Sequence, residues 1–80
     1  MLALTLYGRE HCHLCDEMKD ALTPHGLAHG FVLSVVDVDG DTTLQQRYGH
    51  LVPVLVDGEQ EICHYHLDWA ALDAYLRKIR

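Results

Sequence analysis

Cys12 and Cys15 stand two residues apart in the run His11-Cys12-His13-Leu14-Cys15, a spacing at which two thiols can close a disulfide within a single turn of chain. A bridge over so short a loop restrains the unfolded chain by only about 2 kcal/mol in the chain-entropy account. Such a bridge makes better sense as chemistry than as a structural staple. The reactive form of cysteine is the thiolate, and an unperturbed thiol is mostly protonated at neutral pH. Unpaired backbone N–H groups and nearby cations shift that balance toward the thiolate, so the elements around the pair decide what it can do.

Leu2, Leu4 and Leu6 alternate with Ala3, Thr5 and Tyr7, which predicts a strand ending just before the pair. From Leu14 the period becomes helical: Leu14, Cys15, Met18, Ala21 and Leu22 share one stripe, with His13, Asp16, Glu17, Lys19 and Asp20 off it. Cys12 then falls at the helix N-terminus, where free N–H groups and the helix dipole favour a negative sulfur, and Cys15 faces inward one turn later. Arg9 and His13 add positive charge beside Cys12, and Asp16 and Glu17 oppose it. The sum predicts a Cys12 thiol below the ordinary range, attacking, with Cys15 resolving. Pro24 and Gly26 are expected to end the helix.

Phe31 to Val38 is almost wholly apolar and reads as a parallel strand buried on both faces, completing a βαβ unit. The loop Asp37-Val38-Asp39-Gly40-Asp41 has its glycine too early, and lacks the closing glutamate, for a calcium loop. Asp41 or Thr42 is the expected N-cap of a short second helix, with Gln45 closing a capping box, Leu44 and Tyr48 facing inward and Gly49 ending it. Val52-Pro53-Val54-Leu55-Val56 opens a third strand. Asp57-Gly58 predicts a tight hairpin into a charged edge strand from Glu59 to about His64. Asp68 is the expected cap of a last helix with Leu72, Tyr75, Leu76 and Ile79 buried and Arg77, Lys78 and Arg80 at its C-terminal end.

Eighty residues suffice for one domain, residues 1–80, close to the smallest size that one hydrophobic core stabilises. No stretch approaches the roughly 20 apolar residues of a membrane span, and the apolar N-terminus lacks the basic segment of a signal peptide. A cytoplasmic monomer is expected. Twelve acidic against six basic residues, a formal charge of −6, oppose nucleic-acid binding. Three cysteines, an odd number, argue against a secreted disulfide framework.

The segments Leu6-Tyr7-Gly8-Arg9 and Cys12-His13-Leu14-Cys15, followed by Asp37-Val38-Asp39, Tyr48-Gly49, Val52-Pro53 and Asp57-Gly58, resemble a glutaredoxin-like protein of the thioredoxin superfamily. The closest likeness is to the small glutaredoxin-like group with a C-H-L-C-type site. The resemblance implies an α/β thioredoxin-like fold: a four-stranded mixed sheet in the order 2-1-3-4, flanked by three helices, with topology βαβαββα. It implies a dithiol–disulfide oxidoreductase without a bound cofactor. Its partners would be a disulfide-containing protein or small thiol, and a reductant that is either glutathione, as co-substrate, or thioredoxin reductase. It further implies a cis Val52–Pro53 bond, with Pro53 against the thiols and the Val52 backbone pairing with the bound substrate, and an Arg9 that holds a glutathione carboxylate.

The sequence departs from glutaredoxins in its His13-Leu14 dipeptide. It also has Cys63-His64-Tyr65-His66-Leu67-Asp68 where glutaredoxins carry the Gly-Gly and Asp that receive glutathione. Two other readings stand beside the oxidoreductase. One is a zinc or iron–sulfur site built from Cys12, Cys15, Cys63, His64 and His66, although strand geometry sends neighbours such as Cys63 and His64 to opposite faces. The other is a non-catalytic thioredoxin-fold binding module.

Overall fold

In the computed structural model, which describes residues 2–79, the chain runs β1 (Leu2–Gly8), α1 (His13–His29), β2 (Phe31–Asp37), α2 (Thr42–Tyr48), β3 (Val54–Asp57), β4 (Gln60–His64) and α3 (Trp69–Lys78). A 3-10 turn, Val38–Gly40, leads into α2. The strands form one sheet in the order β2-β1-β3-β4. β1 pairs parallel with β2, Leu2 opposite Phe31 through Gly8 opposite Asp37, and antiparallel with β3, Tyr7 opposite Val54. β3 and β4 form a hairpin with an irregularity between Leu55 and Val56.

The period-two pattern of β1 divides the core. Leu4 and Leu6 pack with Phe31, Leu55 and Cys63 against Met18 and Leu22 of α1 and Leu72 and Leu76 of α3. On the opposite face Val54 and Val56 pack with Val38 and Tyr48, and Tyr7 stacks on Tyr48 with ring centroids 4.4 Å apart. Two helices thus cover one face of the sheet and α2 part of the other, which is the two-sided layering an α/β domain needs to bury both faces.

Four expectations require correction. Helix α1 does not end at Pro24 or Gly26 but continues to Gly30, which caps it in the left-handed conformation (φ 78°) and donates its N–H to the Gly26 carbonyl. Pro24 lies inside the helix on its exposed side. Gly26 serves close packing, because a Cβ there would lie 2.7 Å from the Phe31 carbonyl oxygen. Second, β2 is a sheet edge with Val32 and Val35 about half exposed, not a strand buried on both faces; its apolar run reflects partial cover by α1 on one side only.

Third, Asp41 caps α2, accepting from the Thr43 and Leu44 N–H groups, while the Gln45 amide turns back to Asp39 and forms no capping box. Fourth, Ile79 is 42% exposed and does not extend the buried stripe of α3. Asp68 caps that helix through the Ala71 N–H, and Arg77 and Lys78 occupy its last turn. Arg80 lies outside the described residues.

Candidate active site

The C-terminal end of β1 delivers the chain to the thiol pair through a short turn. Arg9 and Glu10 follow the strand, and His11 adopts a positive φ of 59°, uncommon for a residue with a side chain, immediately before Cys12. Cys12 is the N-cap of α1. Its backbone is extended, its carbonyl accepts the Asp16 N–H, and its Sγ accepts the Cys15 N–H at 3.2 Å. The sulfur thereby takes the place that a serine or aspartate oxygen holds at an ordinary helix start.

Cys12 and Cys15 are joined in a disulfide, with Cα atoms 5.2 Å apart. Cys15 is buried, and Cys12 is half-exposed. Gly8 makes room for the inner sulfur, since a Cβ at that position would sit 3.2 Å from Cys15 Sγ. The outer sulfur is the one an incoming molecule can reach.

The expected site residues are distributed around this pair. His13 is exposed on the first turn of α1. The Arg9 guanidinium extends to Asp39, 3.3 Å away, and Asp39 also accepts from Gln45, so the arginine ties the end of β1 to the start of α2. The Val52–Pro53 peptide bond is cis, and Val54 pairs with Tyr7. Continuing that register brings Pro53 level with Gly8, the residue against which Cys15 packs. Among the described residues, the backbone N–H and carbonyl of half-buried Val52 have no backbone partner.

Cys63 joins the main core, where burial pushes its thiol above the usual range; a hydrogen bond from the Asp68 backbone opposes this, and the carboxylates of Asp68 and Glu61 push it up further. His64 turns outward to Glu61 at 3.0 Å, and His66 lies in a shallow groove of about 230 Å3 with Leu14, Glu17, Tyr65 and Leu67. Among the described residues no three His, Cys, Asp or Glu side chains gather closely enough to hold a metal ion. The zinc or iron–sulfur reading therefore lacks its ligand set in this geometry.

Two residues at the site escape a reading of the sequence. Asp39 is the anion that Arg9 meets, and Tyr65 bonds to the loop preceding β3 through both its backbone and its side chain. Nothing in the local sequence marks either contact, because the partners lie between 12 and 30 residues away.

A 2-1-3-4 mixed sheet with a CxxC disulfide at the N-terminus of its first helix defines a thioredoxin-fold protein with a dithiol site. The family model of the Glutaredoxin-like domain (DUF836) matches residues 3–77, and the chain belongs to that family. Among solved structures it is similar to the solution NMR structure of protein Ne2328 from Nitrosomonas europaea, at 43% identity and a TM-score of 0.81, covering 91% of this chain and 88% of that one. It is also similar to the X-ray structure of a structural-genomics target protein from X. campestris, at 37% identity and a TM-score of 0.72, covering 94% and 96% of the two chains. Thioredoxin 1 from Thermosipho africanus shares the fold at 17% identity, a TM-score of 0.66 and 98% coverage of both chains.

Proposed function

We propose that the protein is a thiol–disulfide oxidoreductase in which Cys12 attacks and Cys15 resolves. The observation that carries this reading is the position of Cys12 as helix N-cap, its sulfur accepting a backbone N–H and half-exposed above a buried partner. A thiolate there gains from the N–H dipole and from the helix terminus.

In the forward direction the Cys12 thiolate bonds to one sulfur of a substrate disulfide and expels the other as a thiolate. The Cys15 thiolate then attacks Cys12 Sγ, the mixed disulfide breaks, and the second substrate sulfur leaves as a thiolate. The substrate gains two electrons and the protein is left with the Cys12–Cys15 disulfide, the state described above. The Val52 backbone beside Pro53, without a backbone partner among the described residues, offers an incoming chain one donor and one acceptor. A dithiol that cycles in this way suits a reducing compartment such as the cytoplasm.

The reductant that returns the protein to the dithiol is glutathione or a thioredoxin reductase. Arg9 is already paired with Asp39, which competes with any substrate carboxylate for the guanidinium and weighs toward a protein disulfide as substrate. The test is turnover of a small disulfide with glutathione and its reductase in one arm and thioredoxin reductase in the other. Recycling is expected in one of the two; no turnover in either arm overturns the reading.

A further inference from the structure

Tyr65 is one of two non-glycine residues at positive φ among the described residues, at 64°, and the other, His11, precedes Cys12. A side chain held in the left-handed region is unfavourable and persists only where its surroundings over-determine it, which makes such a residue a pointer to function. Around Tyr65 those surroundings are specific. Its N–H donates to the Pro53 carbonyl at 2.9 Å, and its hydroxyl donates to the His50 carbonyl at 3.0 Å. The ring stands edge-on to His64, is 44% exposed, and forms one wall of the groove that Leu14 and Glu17 of α1 bound on the other side.

The loop from His50 to Pro53 has few other restraints. β3 begins only at Val54, and among the described residues the one further backbone bond in the loop is from the Leu51 N–H to the Tyr48 carbonyl at its start. Tyr65 therefore bonds the loop on both sides of Val52, whose own N–H and carbonyl have no backbone partner among the described residues. A backbone edge pairs with a ligand more tightly when its donor and acceptor are already held in position, and the two bonds from Tyr65 supply that restraint.

We infer that Tyr65 is a positioning residue: it clamps the His50–Pro53 loop so that Val52 presents its backbone to an extended polypeptide disulfide, and it acts on polypeptide substrates rather than on the sulfur chemistry. This inference rests on the oxidoreductase reading. It separates two substrate classes, because a small disulfide reaches Cys12 without pairing to the loop, whereas a polypeptide disulfide needs the loop edge.

The test uses Tyr65→Phe, which removes only the hydroxyl bond, and Tyr65→Gly, which keeps the N–H bond and suits the left-handed backbone while removing the ring. Each is assayed with hydroxyethyl disulfide and with a short peptide carrying a mixed disulfide. For Tyr65→Phe the KM of the peptide is expected to rise about threefold to tenfold, the range of one net hydrogen bond, with kcat and the rate on hydroxyethyl disulfide unchanged. Tyr65→Gly is expected to raise the peptide KM further. Equal losses on both substrates, or no change on the peptide, would overturn the inference.

Hydrogen exchange of the Leu51 amide, in the oxidised protein, reports the clamp independently of turnover. It should speed up in Tyr65→Phe, and an unchanged rate would overturn the inference even if the wild type is active. A wild type that reduces neither probe overturns the oxidoreductase reading alone.

Discussion

The two walls of the dithiol site are built in different ways. One wall is local: Cys12, Leu14 and Cys15 lie within a single turn at the start of α1, and the same hydrogen bonds that begin the helix hold the outer sulfur. The other is assembled from the His50–Pro53 loop and Tyr65, joined by hydrogen bonds across 12 and 15 residues and carried on the β3–β4 hairpin. The local wall holds the disulfide, and the assembled wall holds the Val52 backbone, whose N–H and carbonyl have no backbone partner among the described residues. On the proposed function the two walls separate sulfur chemistry from recognition, and a substitution should reveal which wall it touches by whether it alters sulfur reactivity or substrate discrimination.

The largest expected effect is on the local wall. Cys12→Ser should abolish disulfide reduction for every substrate while leaving the fold intact, because serine is itself a favoured N-cap and can accept the same Cys15 N–H. Comparison of turnover with the circular dichroism melt checks this; residual turnover on any disulfide would mean that Cys12 is not the attacking thiol. Cys15→Ser should trap the mixed disulfide, with loss of turnover limited to substrates that need the dithiol route.

The frame of the assembled wall should respond in stability. Leu55 is fully buried in β3, between β1 and β4 and against the helices, so Leu55→Ala is expected to cost about 2–5 kcal/mol in urea unfolding. A cost under about 1 kcal/mol would show that the hairpin does not rest on this core. A smaller loss, about 1 kcal/mol, is expected for Asp68→Ala, which removes the α3 cap one residue beyond the groove. Here the rate on hydroxyethyl disulfide should stay at the wild-type level, since the cap bears on neither sulfur.

The mildest effect belongs to the far end of α1. His25 packs on Trp69 and His29, with ring centroids 4.8 and 4.1 Å away, and near Phe31, and its Nε2 is buried without a partner. Burial lowers its pKa from the usual 6.5, the charge of His29 lowers it further, and Asp73 of α3 partly offsets both. With the folded pKa below the unfolded one, the unfolded chain binds more protons between the two values. The contribution to stability is therefore complete above pH 6.5 and declines as pH falls through that window. His25→Leu should flatten the fall in melting temperature below pH 6.5 without altering turnover at neutral pH; an unchanged slope would remove His25 as its source.

Much of this molecule follows from short-range chemistry. The alternation of Leu2, Leu4 and Leu6, the change of period at Leu14, the cap at Asp68 and the Asp57-Gly58 turn each depend on neighbours within one turn or one strand, so they are legible in the chain itself. The position of the thiol pair belongs to the same class, because a helix N-terminus is a local object. Residues whose meaning depends on distant partners read less well. Gly26 has the composition of a helix stop, yet it is a point of close approach to Phe31, and the apolar run of β2 suits a central strand although it lies at the edge.

Arg9 met Asp39, Gln45 left its expected box for the same carboxylate, and Tyr65 reached His50 and Pro53, each through a contact that exists only after the sheet has closed. Sequence by itself determined where the thiol pair sits, because that needs one helix start and one following turn. Only the tertiary structure decided how the Val52–Pro53 loop is held, because strand pairing and packing, not local preference, bring residues 50 to 53 and 65 together.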